Sequence, residues 1–213
     1  MVKKVQTDVA ATAETRHLRV SEPSPWVRRF AALVPAGGWV LDLASGNGRH
    51  ARFFLALGYR VVALDRTVEP FADLARAPGA EVIQADLEDG SPVFDPPGPL
   101  AGRTFEGIVV TNYLYRPILP RLVERLKPGG VLIYETFARG NERFTRPRNP
   151  DFLLKSGELL DLARGRLQVV AYEHGIVERD SAPAVVQRLA AVNDLGQRAR
   201  DDSEPEPHPV PLG

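Results

Sequence analysis

The sequence predicts an α/β chain: a doubly wound, mostly parallel sheet of about seven strands with helices on both faces and the last strand antiparallel. Three observations carry this. Short apolar runs of strand length alternate with helix-period segments in the order β-α-β-α-β-loop-β-α-β, the pattern of a parallel sheet covered on both sides. A Gly-Asn-Gly turn, Gly46 to Gly48, separates the first strand from the helix that follows it. Near the end, two strand-like segments joined by a short link read as an antiparallel pair.

Element by element, Ser24-Pro25 is a helix start, a capping hydroxyl before a proline at the first helical position, with Trp26, Phe30 and Val34 at four-residue spacing. The run WVLDLA is a strand, RHARFFLALG a helix that Gly58 ends, and RVVALD a second strand. VEPFADLARA forms a short helix and AEVIQAD a third strand closed by Asp86. After a proline-rich connection come the strand FEGIVVT and a helix from Pro117 with Leu119, Leu122, Val123 and Leu126 on one face. KPGG then turns the chain into the strand VLIYETF, SGELLDLARG is a helix, and LQVVAYEHGIVERD with APAVVQRLAAV make the final pair. Residues 1–23 lack an apolar period and read as a flexible arm, 24–195 as the folded domain, and 196–213, with prolines at alternate positions, as a disordered tail.

Composition narrows the function. A chain of 213 residues, 44% hydrophobic, holds one domain and one site. Twenty-seven basic residues balance 27 acidic ones, so no global field draws the protein to nucleic acid or membrane. The lack of cysteine removes disulfides, thiolate nucleophiles and cysteine-ligated zinc, and the four histidines show no metal-ligand spacing, so no metal is expected. With no leader-like segment and no apolar run of 18 residues, a cytoplasmic protein, monomer or homodimer, is expected.

In open α/β sheets ligands sit outside the carboxyl ends of the strands, where the strand order reverses. The glycine turn lies at such an end, where positive φ is easy, a ligand meets no Cβ, and amides at the helix start would favour an anionic group. Asp65, nineteen residues beyond Gly46, is placed to accept both hydroxyls of a ribose. Together Asp42, Asp65 and Asp86 outline a nucleoside site at three neighbouring strand ends. Two nucleoside cofactors compete for it. The pattern Gly46-x-Gly48-x-x-Ala51 with Asp65 satisfies the relaxed dinucleotide fingerprint, which keeps a NAD-binding oxidoreductase open, although the space after Leu100 is short for a second mononucleotide half.

VLDLASGNGRHARFFLALGYRVVALD closely resembles the first two motifs of the class I S-adenosylmethionine-dependent methyltransferases; IQADLED, FEGIVVTNYLYRP and LKPGGVLIYETF resemble the motifs that follow. The likeness runs from about Trp26 to Phe137, and NYLYRP with the segment after the fifth strand is similar to small bacterial enzymes of the tellurite-resistance type. It implies a Rossmann-like fold and S-adenosyl-L-methionine as cofactor. It also implies that Gly46, Asn47 and Gly48, with Ala44, pack against the methionine part, that Asp42 acts through the turn and the amino group, and that Asp65, beside Arg66, binds the ribose. Asp86 and Leu87 would contact the adenine, and Asn112, Tyr113 and Leu114 would lie near the sulfonium.

Methyl transfer is an in-line displacement in which positioning is worth up to about 7–11 kcal/mol, so a soft nucleophile needs no base. A hydroxyl or protonated amine does, and Tyr113, Tyr115, Glu135 and His174 are the candidates. Residues 138–155 carry five positive and two negative charges. This suggests a lid in which Arg143, Arg146 and Arg148 select an anionic small molecule while Phe144 and Phe152 exclude water. Trp26 either covers the cofactor or packs as helix core. RNA or protein as methyl acceptor remains the alternative, against which stand the neutral charge and the missing N/D-P-P-Y/F motif after the fourth strand.

Overall fold

A computed structural model describes residues 22–179, 182–197, 200, 202 and 204–212. Its elements are α1 (Pro25–Phe30), β1 (Trp39–Leu43), α2 (Arg49–Ala56), β2 (Arg60–Asp65), β3 (Ala80–Gln84), β4 (Phe105–Thr111), α3 (Leu119–Glu124), β5 (Leu126–Phe137), α4 (Glu158–Ala163), β6 (Gln168–Val177) and β7 (Ala184–Val192). The sheet order is β3-β2-β1-β4-β5-β7-β6. β1 to β5 are parallel, and β7 runs antiparallel to both β5 and β6, so only β7 is reversed. The chain winds outward from β1 to β3, then restarts at β4 on the other side of β1. That reversal puts a crevice above the carboxyl ends of β1 and β4.

Alternate residues of each central strand feed two apolar layers. Leu41, Leu43, Ile108, Val110, Leu132 and Tyr134 pack toward α3 and α4, while Val40, Val61, Ala63, Val109 and Ile133 pack toward α1 and α2. Burial on both faces is why these strands read as continuous apolar runs. Within them Asp42 and Glu135 are buried carboxylates, 1% and 4% exposed, and each therefore needs partners.

Several elements differ from the sequence expectation. The segment after β2 is a 3-10 helix, Glu69–Arg76, kinked at Phe71. The helix expected from Pro117 begins as a 3-10 turn, Arg116–Ile118, and ends at Glu124; Leu126, expected on its face, opens β5 opposite Phe105. KPGG is then an irregularity inside β5, where the register jumps from Phe105↔Leu126 to Gly107↔Val131. β3 stops at Gln84, which leaves Asp86 two residues beyond the strand. Nearly all of the expected N-terminal arm lies outside the described residues. In the C-terminal segment Pro211 O accepts from Arg29 Nε at 2.7 Å, and His208 Nε2 lies 2.6 Å from Asp194 Oδ2. Among the described residues no helix is long and apolar enough to cross a membrane.

Candidate active site at the switch point

The turn after β1 is held from three sides. Ala44, Gly46 and Gly48 have φ of 54°, 61° and 74°, so the chain is left-handed at alternate residues. At Gly48 a Cβ would stand 2.7 Å from Phe71 Cβ, which explains why no larger residue fits. Ser45 N donates to Leu64 O at 3.0 Å and Ser45 Oγ to Asp42 O at 2.7 Å, tying the turn to β2 and β1.

Four amides of this turn and the helix start are already engaged. Gly46 N donates to Asp65 Oδ2 at 2.8 Å, Gly48 N to Ser45 O at 2.9 Å, Arg49 N to Asn47 Oδ1 at 3.2 Å and Ala51 N to Asp42 Oδ2 at 3.0 Å. The sequence expectation that amides at this helix start favour an anion is therefore corrected: two carboxylates fill that role from within the chain. Burial pushes Asp42 up to about 7, although the Ala51 amide and the Arg49 charge act in the opposite direction. Asp65 also accepts from Thr67 N at 3.0 Å through Oδ1, so each of its oxygens holds one amide and keeps a further lone pair.

Beside Asp65 and Arg66 lies an open cavity of about 550 Å³ whose wall includes Thr67, Asp86, Asp89 and Val93. Asp86 caps its own loop by accepting from Glu88 N at 2.9 Å, and Leu87 points into the core. Across the crevice Asn112 takes a φ of 55° and donates its amide to Glu135 O at 2.8 Å. Tyr113 Oη donates to Glu88 Oε1 at 3.1 Å; burial first, and then that carboxylate, push the phenol's pKa up, away from a base at neutral pH. Leu114 is buried, and Tyr115 packs half-buried on the core.

The other predicted residues are dispersed. His174 is exposed on the edge strand β6, three strand spacings or about 14 Å from β4. Arg143, Arg146 and Arg148 are exposed, with the Arg143 guanidinium 5.8 Å from the Phe144 ring. Their loop is pinned from behind. Arg116 donates to Asp151 O, Leu153 O and the Glu158 carboxylate, and the Asn141 amide donates to Thr145 O and Pro147 O. Phe152 is 47% exposed, so here it covers nothing. Trp26 is buried and donates to Leu189 O at 3.2 Å, which makes it helix core.

Sequence reasoning missed a polar cluster near the carboxyl ends of β4 and β5, completed by Arg188 from the middle of β7. Glu135 Oε2 accepts from Arg188 Nε at 2.7 Å and from Ser24 Oγ at 3.2 Å, and Oε1 accepts from Arg179 Nη2 at 3.3 Å. Glu135 is thus an ion-pair partner rather than an available base. Arg49 is held near the same carboxylate, and burial lowers the pKa of both Arg49 and Arg179. His50, 1% exposed, accepts from Ser24 N at 3.1 Å through Nε2. The available signal was a charge inside each apolar strand, Glu135 in VLIYETF and Arg188 in VVQRLAA.

No protein-family model matches the chain, and no curated protein matches its sequence. Solved structures do match it in shape. TehB from Haemophilus influenzae superposes with a TM-score of 0.62 at 18% identity, over 77% of this chain and 60% of that one. The 1,6-didemethyltoxoflavin-N1-methyltransferase of Burkholderia thailandensis, solved with its substrate and S-adenosylhomocysteine, gives 0.57 at 20% identity over 85% and 79%. NodS, an N-methyltransferase of Bradyrhizobium japonicum, gives 0.58 at 16% over 80% and 98%. The chain has the class I methyltransferase fold. In this chain that fold carries the switch point, the engaged glycine turn and the reversed β7, and the chain spans only 60% of TehB's length.

Proposed function

We propose that the protein is an S-adenosylmethionine-dependent methyltransferase acting on a small anionic acceptor. The observation that carries the cofactor is the pairing of the turn amides with Asp42 and Asp65. A dinucleotide would bring its pyrophosphate to a helix start where the Arg49 and Ala51 amides are bonded within the chain and whose neighbours are two carboxylates, a repulsive arrangement. A cofactor with a cationic end and a ribose suits the same residues. Asp65 offers lone pairs to ribose hydroxyls, Gly46 leaves the turn without a Cβ beside it, and the 550 Å³ cavity by Asp86 has room for a base. The S-adenosylhomocysteine bound in the Burkholderia neighbour supports the same choice.

When bound, the cofactor supplies an electrophilic methyl group on a good leaving sulfur. The chain's part is to bind, orient and exclude water. With Tyr113 held protonated by burial and by Glu88, and Glu135 neutralised by arginines, the residues near the crevice favour an acceptor that attacks without general-base help. Three arginines, Arg49, Arg179 and Arg188, gather about the buried carboxylate of Glu135 near the carboxyl ends of β4 and β5, with Glu173 also paired to Arg188 at 3.0 Å and Asp42 acting on Arg49. In this reading they hold the acceptor's negative group, and the exposed Arg143, Arg146 and Arg148 steer it inward. Transfer of labelled methyl into a panel of small carboxylates and oxyanions, with RNA and protein in parallel, tests this. Label in the small-molecule fraction is expected; label only in macromolecules would overturn it.

A further inference from the structure

Residues 22–24 are gripped by three side chains of the site. Arg49 Nη1 donates to Glu22 O at 3.2 Å, Ser24 N donates to His50 Nε2 at 3.1 Å, and Ser24 Oγ donates to Glu135 Oε2 at 3.2 Å. Of the three, His50 also brings a ring nitrogen to within 4 Å of the carboxylate beneath the glycine turn, on which Arg49 acts as a charge. Because Nε2 accepts the Ser24 amide, it carries no proton, and the neutral ring must hold its proton on Nδ1. Nδ1 lies 3.9 Å from Asp42 Oδ1 and 3.5 Å from Thr111 Oγ1. Burial, reinforced by Arg49, lowers His50 to about 3, so the ring stays neutral and only its tautomer is variable.

We propose that His50 couples the seating of Ser24 to cofactor binding at Asp42, by turning Nδ1–H toward that carboxylate only while the Ser24 amide occupies Nε2. The inference rests on the methyltransferase reading above. With Ser24 withdrawn, Nε2 takes a proton from water and Nδ1 returns its own to water; the ring's charge is unchanged, but a lone pair then faces Asp42 and opposes its ionisation. A cofactor that brings an ammonium over the turn stabilises the ionised carboxylate. It thereby stabilises the Nδ1–H tautomer and the seated Ser24, because coupling between two sites is reciprocal.

Ser24 stands between Pro23 and Pro25, which have no backbone N–H, so its amide is isolated in sequence and suited to residue-specific hydrogen exchange by ¹⁵N NMR on the full chain. Saturating S-adenosylhomocysteine should slow Ser24 exchange roughly 5- to 150-fold, the usual range of a site-to-site coupling. In His50→Gln the amide oxygen stands in for Nε2, so Ser24 should remain protected without ligand and gain nothing when ligand is added. In His50→Asn the side-chain amide stands in for Nδ1, and the ligand-free protection of Ser24 should fall. Ligand binding to the unmodified protein with no change at Ser24 would overturn the coupling and leave the methyltransferase reading intact, as would persistent slowing in His50→Gln. Absence of binding would overturn both. The measurement on the unmodified chain stands even where a variant fails to fold.

Discussion

Replacing Asp65 separates its two roles, as cap of the glycine turn and as partner of a ribose. Its carboxylate receives the Gly46 amide at 2.8 Å on one oxygen and the Thr67 amide at 3.0 Å on the other. Asp65→Ala deletes both acceptors. Because the site is only half buried, the folding cost is about 1–3 kcal/mol, below the sum of two fully charge-assisted bonds. For a chain of this length each kcal/mol lowers Tm by roughly 2–4 °C. Asp65→Asn keeps one acceptor oxygen for Gly46 or Thr67 and so should lose less than half of that stability. The ribose is a different matter, since Ala and Asn alike remove the charge that strengthens hydroxyl donation. Loss of one charged acceptor, about 1.5–3 kcal/mol, weakens S-adenosylhomocysteine binding roughly 10- to 150-fold. Calorimetric titration gives Kd, and thermal unfolding of the same samples gives stability. An Asn variant with normal affinity and a lowered Tm would refute the ribose role and leave Asp65 as a turn cap.

Other outcomes follow from the same geometry. Asp42 has a folded pKa near 7 against an ordinary value of 3.8, so the native state holds a proton that the unfolded state releases between those values. Stability from this group is full below about pH 4 and is lost as pH rises through 7; melting curves of Asp42→Asn should therefore gain on the unmodified protein across that window and run parallel above it. Cofactor affinity should rise from pH 6 to 8 as Asp42 ionises, and a flat titration would speak against its electrostatic role. Gly48→Ala places a Cβ 2.7 Å from Phe71 at a φ of 74°, which costs about 2–5 kcal/mol in denaturant unfolding from backbone strain and overpacking together. Arg188→Met leaves Glu135 with Arg179 as its remaining close cation and should destabilise by about 3–5 kcal/mol; adding Glu135→Gln should recover much of it.

The first half of the sheet was legible because its signals are local. An apolar run, two glycines and an acid nineteen residues on are read within one β-α-β unit, and Gly46 and Asp65 do meet. The fate of the turn amides was hidden, since it depends on which side chain arrives first in three dimensions. Helix and strand limits near KPGG were misread because a register jump in β5 depends on pairing with β4, not on turn residues alone. Charge in the loop after β5 was visible, whereas its exposure was not: Arg116, 22 or more residues earlier in the chain, holds the loop so that Arg143, Arg146 and Arg148 face outward. His50 read as one histidine among four, and its partners Ser24 and Thr111 lie 26 and 61 residues away. A buried polar cluster assembled from α1, α2, β4, β5 and β7 leaves only isolated charges in the sequence.

Calorimetric binding of S-adenosylhomocysteine, S-adenosylmethionine and NAD to the purified chain tests the cofactor directly. Micromolar binding of the first two and none of NAD is predicted from the carboxylates that occupy the turn amides. Binding of NAD alone would contradict it and return residues 46–51 to a dinucleotide turn.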